Sequence, residues 1–84
     1  PMSDNAGRTD DDRDLEALYA NHFEIRHNAL EFLLDFCQVS PTSHRVTCHT
    51  RIITHPLYAK ALLQTLAESI GAYERAYGQI GEED

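Results

Sequence analysis

Five histidines and two cysteines in a chain of 84 residues are the side chains with the most chemistry to offer. His44, Cys48, His49 and His55, together with Cys37, would make a metal site if folding drew them together. Their spacing is not that of a zinc finger. On a strand, His44 and Cys48 point the same way but sit ~13 Å apart at ~3.3 Å per residue, too far to share one ion. The pattern therefore predicts no metal and no cofactor within one chain, and it places His22, His27 and His49 on the outer face of a sheet. A dimer could still bring histidines together from two chains.

Catalysis has equally thin support. The chain contains no Gly-rich phosphate loop, nucleophile elbow or paired-carboxylate motif. Asp35 across from His49 is the one acid–base pair that strand pairing suggests, and no nucleophile stands beside it. Read as structure, the two form a cross-strand polar pair on a wet face. The expectation is a protein that is not an enzyme. The cysteines differ in face: Cys48 shares the inner face with Phe36, whereas Cys37 points outward. Two free thiols are expected, in keeping with a reducing cytoplasm, with Cys48 in the core and Cys37 open to reaction or contact.

The elements that must position these groups are legible in the periodicity. After Leu15, Phe23 and Ile25 alternate with His22, Glu24 and Arg26, and Phe32, Leu34 and Phe36 alternate with Glu31, Leu33, Asp35 and Cys37. Asn28-Ala29 is a candidate tight turn. Ser40-Pro41-Thr42-Ser43 is a loop by composition, and alternation resumes from Arg45 to Ile53. Three antiparallel strands are predicted near 18–27, 30–39 and 45–54, with Phe36 opposite Cys48 and Phe32 opposite Ile52. Thr54-His55-Pro56 forces a corner, since proline suits a first helical turn and Thr54 or His55 can cap it. A helix from Pro56 to about Tyr77 follows, ending at Gly78. Its stripe of Ala59, Leu62, Leu63, Leu66, Ile70, Tyr73 and Tyr77 is expected to cover the sheet's apolar face. At ~1.5 Å per residue the helix runs roughly 33 Å, so its last turns, with Tyr73 and Tyr77, should overhang the sheet and invite a partner. Ala61, Thr65, Ala72 and Ala76 form a row of small residues on the outward side, where a second helix could approach.

Charge narrows the partners. The formal net charge is −7, and it sits at the ends. Residues 1–16 carry six carboxylates against Arg8 and Arg13, and residues 82–84 are all acidic. The remainder balances. Nucleic-acid binding is not expected, because phosphate contacts need clustered Lys and Arg. Residues 1–14 and 82–84 read as solvated acidic tails flanking a single 15–81 domain. Pro1 before Met2 reads as a protease-cleavage scar, which would put the native start at Met2; no signal peptide and no membrane-spanning run is expected.

Tyr19 and Asn21, the strand Phe32 to Phe36, Arg51 to Ile53, Pro56, Ala59-Lys60-Ala61-Leu62 and Tyr73-Glu74 together match a recurring pattern. In these motifs the chain resembles a widespread family of small bacterial proteins catalogued as domain of unknown function three-four-six-seven, over about residues 19–81. It departs at His55, where that family places Ser or Thr. The resemblance implies a compact strand-strand-strand-helix protein of the bacterial cytoplasm and brings no activity or site residues with it.

The reading that results is an α+β protein: a three-stranded antiparallel sheet followed by one long C-terminal helix packed on one face, forming a homodimer. Its expected role is that of a cytoplasmic protein-binding or adaptor module without a cofactor. Leu33, Cys37, His49, Arg51 and Ile53 on the outer sheet face, and Tyr73 and Tyr77 on the helix, are the candidate contact residues. Mixed charges with apolar patches suit protein recognition. The alternatives are a small metal- or thiol-dependent protein using the His and Cys residues, and an acidic inhibitor or immunity-type protein that masks a basic partner.

Overall fold

The computed structural model describes residues 14–81. Apart from Asp14, the two acidic tails expected at 1–14 and 82–84 lie outside the described residues. The element order is β1 (His22–His27), β2 (Phe32–Val39), β3 (Val46–Thr54) and α1 (Pro56–Tyr77). The strands form one antiparallel sheet in the order β1-β2-β3, so the architecture is α+β as expected.

Local chemistry fixes each corner. The first turn lies one residue later than Asn28-Ala29: Asn28 donates its backbone N–H to the Glu31 carbonyl, and its side-chain Oδ1 accepts from the Leu30 and Glu31 amides at 2.7 and 3.0 Å. A side chain that satisfies its own turn's amides is the reason Asn favours such positions. The pairs Phe23↔Phe36 and Ile25↔Leu34 keep one apolar face across this hairpin. In the second loop Ser40 bonds Arg45 and His44 through its backbone, and His44 adopts φ +61° to close it.

At the strand-to-helix corner the cap is His55 rather than Thr54. Its Nδ1 accepts from the Leu57 amide at 3.0 Å, and Pro56 opens the helix. Gly78 ends it at φ 100°, where a side chain would be strained, and donates to the Glu74 carbonyl. His55→Ala should lower unfolding free energy by about 1 kcal/mol, and His55→Ser should restore most of it, read from urea melts.

The second hairpin departs from the sequence expectation. Phe32 pairs with Thr54 and Leu34 with Ile52, two residues along from the register that would set Phe32 opposite Ile52. That shift preserves the faces. Farther along, Phe36 pairs with Thr50 but Cys37 pairs with Cys48, leaving His49 as the extra residue of a β-bulge. A one-residue slip reverses face parity, so Cys48 moves from the Phe36 face to the Asp35 face. There it meets Cys37.

The helix also lies differently from expectation. Its stripe faces the sheet across an open cleft rather than sealing it, and none of its residues is buried. Leu62, Leu66 and Ile70 keep 47%, 54% and 40% of their surface exposed. Among the described residues the buried hydrophobic side chains are Leu34 and Cys37, both on β2. The centre of the fold is thus the middle strand, flanked on both sides by its neighbours.

Candidate functional site

Two surfaces emerge, one on each side of the sheet. The outer side is built on Asp35, only 4% exposed at the middle of β2. The shifted register puts Arg51, not His49, opposite it. Arg51 donates Nε and Nη2 to the two carboxylate oxygens at 2.8 and 2.9 Å, and Arg26 approaches from β1 at 3.6 Å. The forked Arg51 hydrogen bond holds the Asp35 carboxyl below its ordinary range, with help from the charges of both arginines against the opposing effect of desolvation. The same bond pushes the Arg51 guanidinium up.

A carboxylate with a depressed folded-state pKa contributes stability above its unfolded value, and that contribution is lost as pH falls through the folded one. The unfolded value is near 3.8. Wild type should therefore exceed Asp35→Asn in stability at pH 7, and the gap should close below pH 3.8, followed by circular dichroism across an acid series. A gap that persists unchanged to pH 2 would mean the ion pair is not its source.

His49 has a different job from the one its strand position suggested. As the bulge residue it places Nε2 at 2.9 Å from the Tyr19 carbonyl and Nδ1 at 2.7 Å from Thr50 Oγ1. The Asp35–His49 pair does not form. Tyr19 precedes β1, yet here it reaches β3, so the chain entering the sheet crosses the far end of β2. Asn21 fastens the same segment: its Oδ1 accepts from the Val39 amide at 2.7 Å and its Nδ2 donates to the Val39 carbonyl at 3.3 Å. This strap was not legible from periodicity, since Asn21 and Val39 are far apart in sequence and belong to no repeating pattern.

Cys37 and Cys48 form a disulfide beneath the strap, with Cα atoms 3.8 Å apart. The expectation of two free thiols is overturned, and so is the availability of Cys37, which faces the outer side with Asp35 as expected but has 0% exposure. The physical reason is the bulge, which alternation cannot announce. Among the described residues no three His, Cys, Asp or Glu side chains are grouped to hold a metal ion. The other outer-face candidates remain at the surface: Leu33 is half-buried between Arg26 and Ile53 in the pairing, and Ile53 is 61% exposed.

The inner side is almost wholly apolar. Ile25, Phe32 and Leu34 from the sheet, and Pro56, Ala59, Lys60, Leu62, Leu63 and Leu66 from the corner and helix, line a cleft of about 560 Å³. Phe23 packs edge-on against Phe36 at the far end, 5.8 Å between centroids, and is still 56% exposed. Ile70, Tyr73 and Tyr77 lie on the helix beyond the cleft, the two tyrosine rings 5.0 Å apart. Tyr73 and Tyr77 are exposed, and Ile25, Ile52, Leu62 and Leu66 join them as surface rather than core.

These features define a class: a small β-β-β-α chain with a strapped, cross-linked sheet and an uncovered apolar cleft between sheet and helix. A family model described as Protein of unknown function (DUF3467) matches residues 5–82, and the chain belongs to that family. No curated protein and no solved structure matches it. No helix among the described residues is long and apolar enough to cross a membrane.

Proposed function

We propose that the protein is a non-catalytic protein-binding module that works as a homodimer, with the sheet–helix cleft as the contact between copies. One observation carries this reading: the apolar stripe of the helix is about half exposed, and so are Phe23, Ile25 and Ile52 around the buried Leu34 on the sheet's apolar face. At roughly 200 Å² for each large side chain, Phe23, Ile25 and Ile52 together with Leu62, Leu63, Leu66, Ile70, Tyr73 and Tyr77 leave on the order of 900 Å² in water altogether. Monomeric proteins rarely expose a patch above a few hundred Å². A standard interface takes ~800 Å² from each partner.

The helix is also complementary to itself. Antiparallel pairing of α1 about a two-fold axis near Leu66 sets Leu63 beside Ile70 of the second copy, and Lys60 beside its Glu74. The apolar cleft meets an apolar stripe and opposite charges meet at the rim. A second copy therefore fits this surface better than a strongly charged partner would. Once paired, the outer faces with Leu33, Arg51 and Ile53 point away from the contact and are left for a protein ligand.

Light scattering on the purified chain at tens of micromolar should give twice the 9.5 kDa chain mass. A mass that stays at one chain across that range would remove the support for this reading. A cytoplasmic setting belongs to the same proposal, but it can no longer lean on free thiols. A joined cysteine pair in a reducing compartment is characteristically transient.

A further inference from the structure

The disulfide is lopsided. Cys37 has 0% exposure, whereas Cys48 is exposed and lines a shallow groove of about 260 Å³ with Asp35, His49, Thr50 and Arg51. Thiol–disulfide exchange needs an incoming thiolate to reach a sulfur, and the rate depends on which sulfur is open. Among the described residues the groove lies in front of the Cys48 end of this bond. The second observation is the register. The Arg51–Asp35 pair lies on one side of the bulge and the Thr47↔Gln38 and Val46↔Val39 pairs on the other, so β3 is held on β2 from both directions without the covalent link. Breaking the bond would leave Cys48 in front of its groove and Cys37 behind it.

We propose that Cys37–Cys48 is a reversible thiol-exchange site, entered through Cys48 by a small thiol of the glutathione class, with Cys37 as the buried resolving partner. The site faces away from the sheet–helix cleft, so it does not depend on the dimer contact. In the first step the external thiolate bonds to Cys48 Sγ, the Cys37–Cys48 bond breaks, and its electron pair leaves on Cys37 as a thiolate that takes a proton from solvent. Two outcomes follow. A second external thiol attacks the mixed disulfide, leaving Cys48 as a thiol and releasing the oxidised small disulfide; the protein is reduced by two electrons and two small thiols are oxidised. Alternatively, Cys37 loses its proton, attacks Cys48 and expels the small thiol, which restores the starting bond. The consequence is a sheet whose covalent tie follows the thiol poise around it.

Differential labelling of the full chain tests this. The protein is incubated with reduced glutathione in native buffer and exposed briefly to a bulky maleimide. It is then denatured and treated with an isotopically distinct maleimide, and both cysteines are mapped by peptide mass spectrometry. Cys48 should take the first label at least tenfold faster than Cys37, at glutathione concentrations that leave the circular-dichroism spectrum unchanged. Cys37→Ser treated with oxidised glutathione should hold one stable adduct on Cys48, and Cys48→Ser should take none on Cys37 until denatured. Equal native labelling of the two cysteines overturns the assignment. So does a disulfide that yields to glutathione only at denaturant concentrations that unfold the chain.

Discussion

Replacing Leu66 by alanine is expected to cost about 2–5 kcal/mol of unfolding free energy, whereas Leu57→Ala should cost less than about 1 kcal/mol. Both changes delete the same atoms from the same helix, on opposite sides of it. In the single chain the two leucines are nearly equal, 54% and 63% exposed. A lone chain would therefore lose little at either position. The large asymmetry arises only if a second copy covers the cleft that Leu66 lines and leaves Leu57 in water. Denaturant melts at several protein concentrations separate the cases, because an obligate dimer's midpoint rises with concentration. Equal, small losses for both variants would mean that the stripe stays exposed in solution.

The second large effect belongs to the cross-link. Cys48→Ser should destabilise the chain by about 2–3 kcal/mol, since closing a loop of 11 residues' separation removes a modest amount of freedom from the unfolded state. Reduced wild type should show the same loss, measured in urea with and without reductant. Agreement between the two would assign the loss to the bond. If reduction costs nothing while Cys48→Ser still destabilises, the serine itself disturbs the bulge and the disulfide contributes no net stability. The fold should survive in both forms, because the hydrogen bonds flanking the bulge do not involve sulfur.

Both effects come from places where local pattern and tertiary arrangement part company. The strands, the helix and the corner between them follow from short-range chemistry. Period-two alternation around Phe32, Leu34 and Phe36 can be satisfied only by a strand with one apolar side. Pro56 after His55 suits a turn into a helix, and Gly78 suits a helix end at positive φ. Leu62, Leu63, Leu66 and Ile70 had to share a side because helical spacing leaves no alternative.

What the chain's own pattern could not determine was distance and pairing. Alternation marks faces, and a two-residue slip leaves faces intact, so Arg51 rather than His49 came to sit beside Asp35 with nothing in the pattern to distinguish them. The bulge at His49 adds one residue, and its energetic reasons are contacts distant in sequence: the Tyr19 carbonyl on the histidine ring and the Asn21 side chain on Val39. That single extra residue converted Cys37 and Cys48 from thiols on opposite faces into one bond. Periodicity likewise tells which side of α1 is apolar but not what lies against it. Only the tertiary structure shows the stripe standing off from the sheet, because coverage depends on how far the corner at His55 swings the helix, and that angle is a property of the assembled chain.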